Sequence, residues 1–288
     1  MSAATRFDGH RESARPAPVL RLDNRPEPFR HWLGGLWRYR AVLVALARKD
    51  FRVRYKRATL GVLWSVAVPL LQSAVMVFIF SRVGRFSSGL GFSYAGFVLA
   101  GMVPWLYMST SVISSTTSIV DAASLTDKVF FPRALLPLVA PSANLVTLGI
   151  STLILIVALP IVGQPLEPQL LLVVPAAVLL CAFTAALGLA LGALYVYFRD
   201  VRFMVQAVVL VWLYVTPIVY PPTALKNAGP WLDFNPLTGI AGLFQRAAVD
   251  APVPSARAIV VSIVTTIALT IVAVVGHHRH DRLFVDQL

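Results

Sequence analysis

His277, His278 and His280 stand within one helical turn of one another, and imidazoles at that density are the chain's best set of metal-ligand side chains. They follow directly after an apolar run at a basic end that also holds Arg279 and Arg282, where a solvated tail that sets membrane topology accounts for them better than a metal site. Nucleotide hydrolysis needs a loop whose backbone cradles phosphates, and no GxxxxGK[ST] string occurs in the sequence. Proton-coupled transport needs a relay of buried carboxylates or histidines, which the apolar runs do not hold. Their strongest polar side chains are Gln72, Asn144 and Gln206, suited to hydrogen bonds between helices. No catalytic, cofactor-binding or metal-ligating residue is assigned. The chemistry to look for is that of passage across a membrane.

Six stretches are long and apolar enough to span a bilayer: 60–81, 92–117, 134–162, 170–198, 203–220 and 258–276. None carries an Asp, Glu, Lys or Arg in its central part, and about 20 helical residues cover the ~30 Å hydrocarbon core. Hydrophobic residues make up 57% of the chain and charged ones 13%, a balance that excludes an ordinary water-soluble domain. The fold expected is all-α and integral to the membrane, with six transmembrane helices. The single Cys181 lies in an apolar run and can form no intrachain disulfide.

Charge placement orients the spans. With both ends on one side, that side collects 20 of the 25 Lys and Arg residues, and seven of them fall in 36–56 beside the first span. The positive-inside rule then places the N- and C-termini in the cytoplasm. The net charge of +12 is a signal for the cytoplasmic leaflet rather than for nucleic acid. Residues 1–30, with Pro16, Pro18, Pro26 and Pro28 and few apolar side chains, read as a flexible cytoplasmic arm without a secretory signal. Residues 31–58 read as an amphipathic interfacial helix, 59–276 as the transmembrane domain and 277–288 as a cytoplasmic tail.

Within 36–56, Arg38, Arg48, Lys49, Arg52 and Lys56 fall on one arc of a helical wheel, opposite Leu36, Trp37, Leu43, Val44, Leu46, Phe51 and Tyr55. Arg48, Lys49, Arg52 and Lys56 are the candidate membrane-surface residues, and the same helix can serve as part of a docking surface. Arg40 and Arg54 sit on the apolar side and need partners; Asp50, four residues before Arg54, is one. At the other end, Asn235-Pro236 is a good helix start, and Leu237, Ile240, Ala241, Phe244 and Ala248 recur at helical spacing, which predicts a short amphipathic helix at or dipping into the outer interface.

Four strings in order, RYKRATLGVLWSVAVPLLQ (54–72), SLTDKVFFPRALLP (124–137), YFRDVRFMVQAVVLVWLYVTPIVYP (197–221) and NPLTGIAGLFQR (235–246), resemble the permeases of type-2 ABC transporters that export bacterial polysaccharides. That group handles O-antigen, teichoic acid, capsule and galactan polymers. The resemblance implies a homodimer working with two copies of a separate ATPase subunit, which would carry ATP and Mg, and a lipid-linked polysaccharide as substrate. It also implies short outer helices that re-enter the membrane, and a coupling helix between the second and third spans; by position that role falls to Ser124, Asp127, Lys128, Phe130, Phe131 and Arg133. On residue types alone, 118–133 suits a short surface helix broken by Pro132, and without the resemblance an ordinary cytoplasmic loop is the better reading, because two basic residues there already satisfy topology.

Sugars present apolar C–H faces and hydroxyls, so aromatic rings with a polar tip suit a sliding path. Trp64, Tyr107 and Tyr195, accompanied by small or hydroxylated residues, are the candidates. The function expected is the transmembrane subunit of an ATP-driven polysaccharide exporter in a bacterial cytoplasmic membrane. A type-2 exporter of a drug or simple lipid, and a stand-alone lipid glycosyltransferase or flippase, are the alternatives. Cysteines placed at Ser13 and Gln287 should be protected from impermeant reagents in intact cells, and one at Ala228 should react; labelling of either terminus from outside would overturn the six-span topology.

Overall fold

The computed structural model describes residues 29–56, 59, 61–82, 90–123, 131–222 and 229–280. Every regular element among them is helical: α1 (Phe29–Arg38), α2 (Arg40–Tyr55), α3 (Trp64–Arg82), α4 (Tyr94–Asp121), α5 (Leu136–Ile161), α6 (Val173–Tyr197), α7 (Val201–Val215), α8 (Gly229–Leu232), α9 (Pro236–Val249) and α10 (Ala256–His280). Tight 3-10 turns at Gly61–Leu63, Arg133–Leu135 and Pro168–Leu172 lead into α3, α5 and α6.

Four helical stretches are long and apolar enough to cross a membrane: Tyr94–Asp121, Arg133–Ile161, Pro168–Tyr197 and Ala256–Arg279. The other two expected spans correspond to α3 and α7, which are shorter. With 15 residues, α7 reaches only about 22 Å. Its early end has a steric cause. The residue before a proline is pushed out of the helical region, and Thr216, before Pro217, is extended at φ −88°, ψ 135°.

Two further boundaries differ from expectation. The amphipathic segment is two helices, because Tyr39 leaves the helical region at φ −87°, ψ 12°. At the far end α10 runs through Gly276 to His280, and His277 is fully buried where a solvated tail was expected. Its Nε2 lies 3.0 Å from the Leu189 carbonyl, an acceptor, so that ring nitrogen donates. Contact with α6 outweighs the ~1 kcal/mol helix penalty of a glycine. No group of three metal-ligand side chains converges among the described residues.

α4 is the central helix. Of its most apolar 18-residue window 83% is buried, against 22–33% in the other three long helices, whose remaining faces are apolar and outward. It packs on α3, α5, α6, α7 and α9, while α6 also packs on α10 and α2 lies along α5.

A close junction joins α4, α5 and α6. Pro141 lacks the N–H that would satisfy the Pro137 carbonyl one turn earlier, and Ser115 of α4 replaces it, its Oγ donating to Pro137 O at 2.6 Å. Gly188 and Gly192, at G-x-x-x-G spacing on α6, let the backbones approach there. A Cβ on Gly188 would stand 2.9 Å from Ser115 Oγ, and one on Gly192 would stand 2.9 Å from Pro137 Cγ. Gly192→Leu should therefore overpack this junction at a cost of about 1–3 kcal/mol. Monodisperse protein recovered in detergent should fall severalfold, whereas Gly149→Leu, with nothing within 4 Å of its Cβ position, should leave recovery unchanged.

Candidate coupling and translocation site

The basic end of the bundle holds the predicted coupling segment. Ser124, Asp127, Lys128 and Phe130 lie outside the described residues. Phe131 is buried, grouped with Ile119, Leu135, Leu136 and Val196, and Leu36, Tyr39, Val42, Leu43 and Leu46 of α1, α2 and their junction pack against this cluster. Phe131 thus anchors the segment to the chain's own interior. Arg133 opens the turn into α5; its Nη1 is buried and has no hydrogen-bond partner among the described residues.

Arg48, Lys49 and Arg52 on α2 and Lys56 just past its end are all exposed, with Phe51 and Tyr55 among them. The ring centroids of Phe51 and Tyr55 are 5.0 Å apart, so the cationic stripe has an aromatic flank suited to an interfacial position. The two arginines on the other side both find partners. Arg40 lies over the Trp37 ring, 5.0 Å from its centroid. Arg54 pairs with Asp50 at 3.0 Å, as the spacing suggested, and also donates to Asn144 Oδ1 of α5 at 2.6 Å.

The three aromatic path candidates do not share one environment. Trp64, at the start of α3, is 45% exposed. Tyr107 is buried in the main core, its hydroxyl donating to Pro141 O at 3.2 Å. Tyr195 belongs to the same core, and the Arg199 guanidinium sits 5.4 Å from its ring centroid. Tyr107 and Tyr195 are therefore buried within the single chain, and Trp64 stands apart from them.

At the opposite end the structure shows a constellation that the sequence reading only touched. After α7 stops, residues 216–220 are not regularly helical, and backbone groups there need partners from protein when water is excluded. Three elements supply them. Tyr94 at the start of α4 donates to Val219 O at 2.5 Å, and Gln245 of α9 donates to Pro217 O at 3.0 Å and Ile218 O at 3.4 Å. Asn235 is the hub. Its Oδ1 accepts from Trp212 Nε1 at 2.9 Å and from the Leu237 N–H at 3.0 Å, while its Nδ2 donates to Thr216 Oγ1 at 2.9 Å. Indole and amide N–H groups can only donate, so this orientation of the amide is forced. The capping role of Asn235 was legible; its second role, tying α7 to α9, was not. α9 is far more enclosed than an outer amphipathic helix would be, with Ile240, Ala241, Phe244 and Gln245 all buried. A glutamine among buried apolar residues was the available signal.

A family model described as an ABC-2 type transporter matches residues 41–247, well over half the chain. The chain belongs to that family and is a transporter's membrane permease, not an enzyme. Its curated relatives include the O-antigen export system permease protein RfbA of Myxococcus xanthus, 28% identical over 225 residues, covering 77% of this chain and 85% of the relative. A protein of the same name from Klebsiella pneumoniae is 30% identical over 205 residues, covering 69% of this chain and 76% of that one.

Gln245→Leu would strand the Pro217 and Ile218 carbonyls, and an unmet buried hydrogen bond costs about 1–3 kcal/mol. Thermal unfolding in detergent should shift down by several degrees, with a smaller shift for Gln245→Glu, which keeps an oxygen that can donate when protonated; no shift for Gln245→Leu would show that these carbonyls do not depend on Gln245.

Proposed function

We propose that this chain is the permease of an ATP-driven exporter that moves a lipid-linked polysaccharide outward across the bacterial cytoplasmic membrane. The similarity to O-antigen export permeases over more than two thirds of the chain carries this reading. In the proposed arrangement α3 and α7 complete six spans, both termini are cytoplasmic, and the basic end carrying α2 and the start of α5 faces the cytoplasm. That assignment agrees with the distribution of Lys and Arg. α9 and the non-helical residues 216–220 then form a re-entrant plug at the outer mouth.

Two copies of the chain would pair with two copies of a separate ATPase, since a path for a polymer is naturally built on a two-fold axis. Outward apolar side chains on α3, such as Leu71 and Phe78, and on α7, such as Phe203 and Val211, give both helices surface for a second copy or for lipid. Trp64 is the aromatic placed to meet substrate in the resting arrangement; Tyr107 and Tyr195 would line a path only when α4, α5 and α6 part.

Coupling is assigned to 124–133. Ser124, Asp127, Lys128 and Phe130 contact the ATPase, Phe131 seats the segment in the bundle, and Arg133 joins it to α5. Purified alone, the chain should not hydrolyse ATP. Asp127→Lys and Phe130→Ala should weaken copurification of the ATPase and lower surface polysaccharide, because an aromatic interface anchor is worth about 2 kcal/mol, roughly thirtyfold in affinity. Asp233→Lys, at the opposite end, should leave copurification unchanged. Normal export by both coupling variants would reduce the segment to a connector.

A further inference from the structure

Most cations of α2 face outward, but Arg54 turns onto the bundle and joins a chain of hydrogen bonds that crosses three helices. Its Nη2 donates to Asp50 Oδ2 at 3.0 Å and its Nη1 to Asn144 Oδ1 at 2.6 Å. A guanidinium only donates, so Asn144 must present its oxygen to Arg54 and its nitrogen to the other side. There Nδ2 donates to Ser111 Oγ at 2.8 Å and Thr110 Oγ1 at 3.3 Å, and the Thr110 hydroxyl donates in turn to Leu106 O at 2.6 Å. Asn144 is 2% exposed and Ser111 fully buried, so the bond between them is shielded from water, while Thr110 is exposed. Hydrogen bonds to a charged donor are about twice as strong as neutral ones and, unlike apolar contacts, they fix register.

The link is placed where register matters. Leu46 of α2 packs at the cluster holding Leu136, the first residue of α5, and Arg54 meets Asn144 eight positions further along both helices. With its earlier residues at the start of α5 and its last turn at Asn144, α2 runs alongside α5 in the same direction. Apolar packing holds one end of this pair and the Arg54–Asn144 bond holds the other. α5 begins directly after 124–133, and α2 leads within a few residues into α3.

We infer that Arg54 and Asn144 are positioning residues that make α2, and through it α3, follow α5 when the coupling segment is displaced. The inference rests on the exporter reading above. Without the link, α2 keeps only non-directional apolar contact with α5 and can slip while the ATPase still turns over. The pair would then act on the efficiency of transport per ATP and not on assembly.

The test uses cells in which this chain is the sole permease, with surface polysaccharide measured beside ATP turnover of the copurified complex. Asn144→Leu and Arg54→Gln should each cut export about tenfold, within the usual range of coupling energies, while the amount of ATPase recovered and its turnover stay near the unaltered level. Asn144→Asp should restore most of the export, because a carboxylate still accepts from Arg54 and can accept from the hydroxyls of Ser111 and Thr110. Combining Asn144→Leu with Arg54→Gln should be no worse than either alone. Export at the normal level in Asn144→Leu, ATP turnover falling in proportion to export, or failure of Asn144→Asp to rescue would each overturn the inference. If no ATPase copurifies even with the unaltered chain, it is the exporter reading that fails.

Discussion

Where water is excluded, every backbone carbonyl released from a helix must find a donor in the protein, and this requirement organises the molecule. Proline creates the need at two key places. Pro141 frees the Pro137 carbonyl, and Ser115 meets it from the neighbouring helix. Pro217 ends α7, and the carbonyls of Pro217, Ile218 and Val219 are met by Gln245 and Tyr94. Each repair also ties one helix to another, so the breaks hold the bundle together at the points where regular structure fails.

The same logic separates the two ends. At the end opposite the basic residues, the repairs converge on α9, which is enclosed against α4, α6 and α10. Asn235 begins that helix and ties it back to Trp212 and Thr216, so α9 and the end of α7 form one unit. At the basic end the Ser115–Pro137 repair is joined by apolar packing. Phe131, Leu135 and Leu136 are packed against α1 and α2, and a few directional bonds add register. Directional bonds therefore tie the end around α9, and apolar packing with a few such bonds ties the basic end.

Much of this could be read from residues. The long apolar runs at α4, α5, α6 and α10, the Asn235 cap and the Asp50–Arg54 pair all rest on local rules, and local rules do not depend on neighbours far along the chain. Segment ends were less legible. The run 203–220 is apolar enough to continue as a helix, but the backbone cost before Pro217 acts at a single residue and escapes any average of hydropathy. The run of histidines after Gly276 read as solvated because of its composition; burial of His277 depends on where the Leu189 carbonyl happens to lie.

The sequence by itself determined that this protein belongs in a membrane, that its described elements are helices, and which end is basic, because transfer free energy and charge are properties of short segments. It also held the family strings. Tertiary structure alone decided the partners of Ser115, Asn144, Asn235 and Gln245, since a polar side chain in an apolar helix announces a need for a hydrogen bond without saying which helix will meet it. Tertiary structure likewise set Tyr107 inside the core and Trp64 outside it, although both are aromatics among small residues. Burial depends on which face of a helix its neighbours cover, and that follows from the packing of α4, α5 and α6 around Gly188 and Gly192, a close approach that no single segment contains.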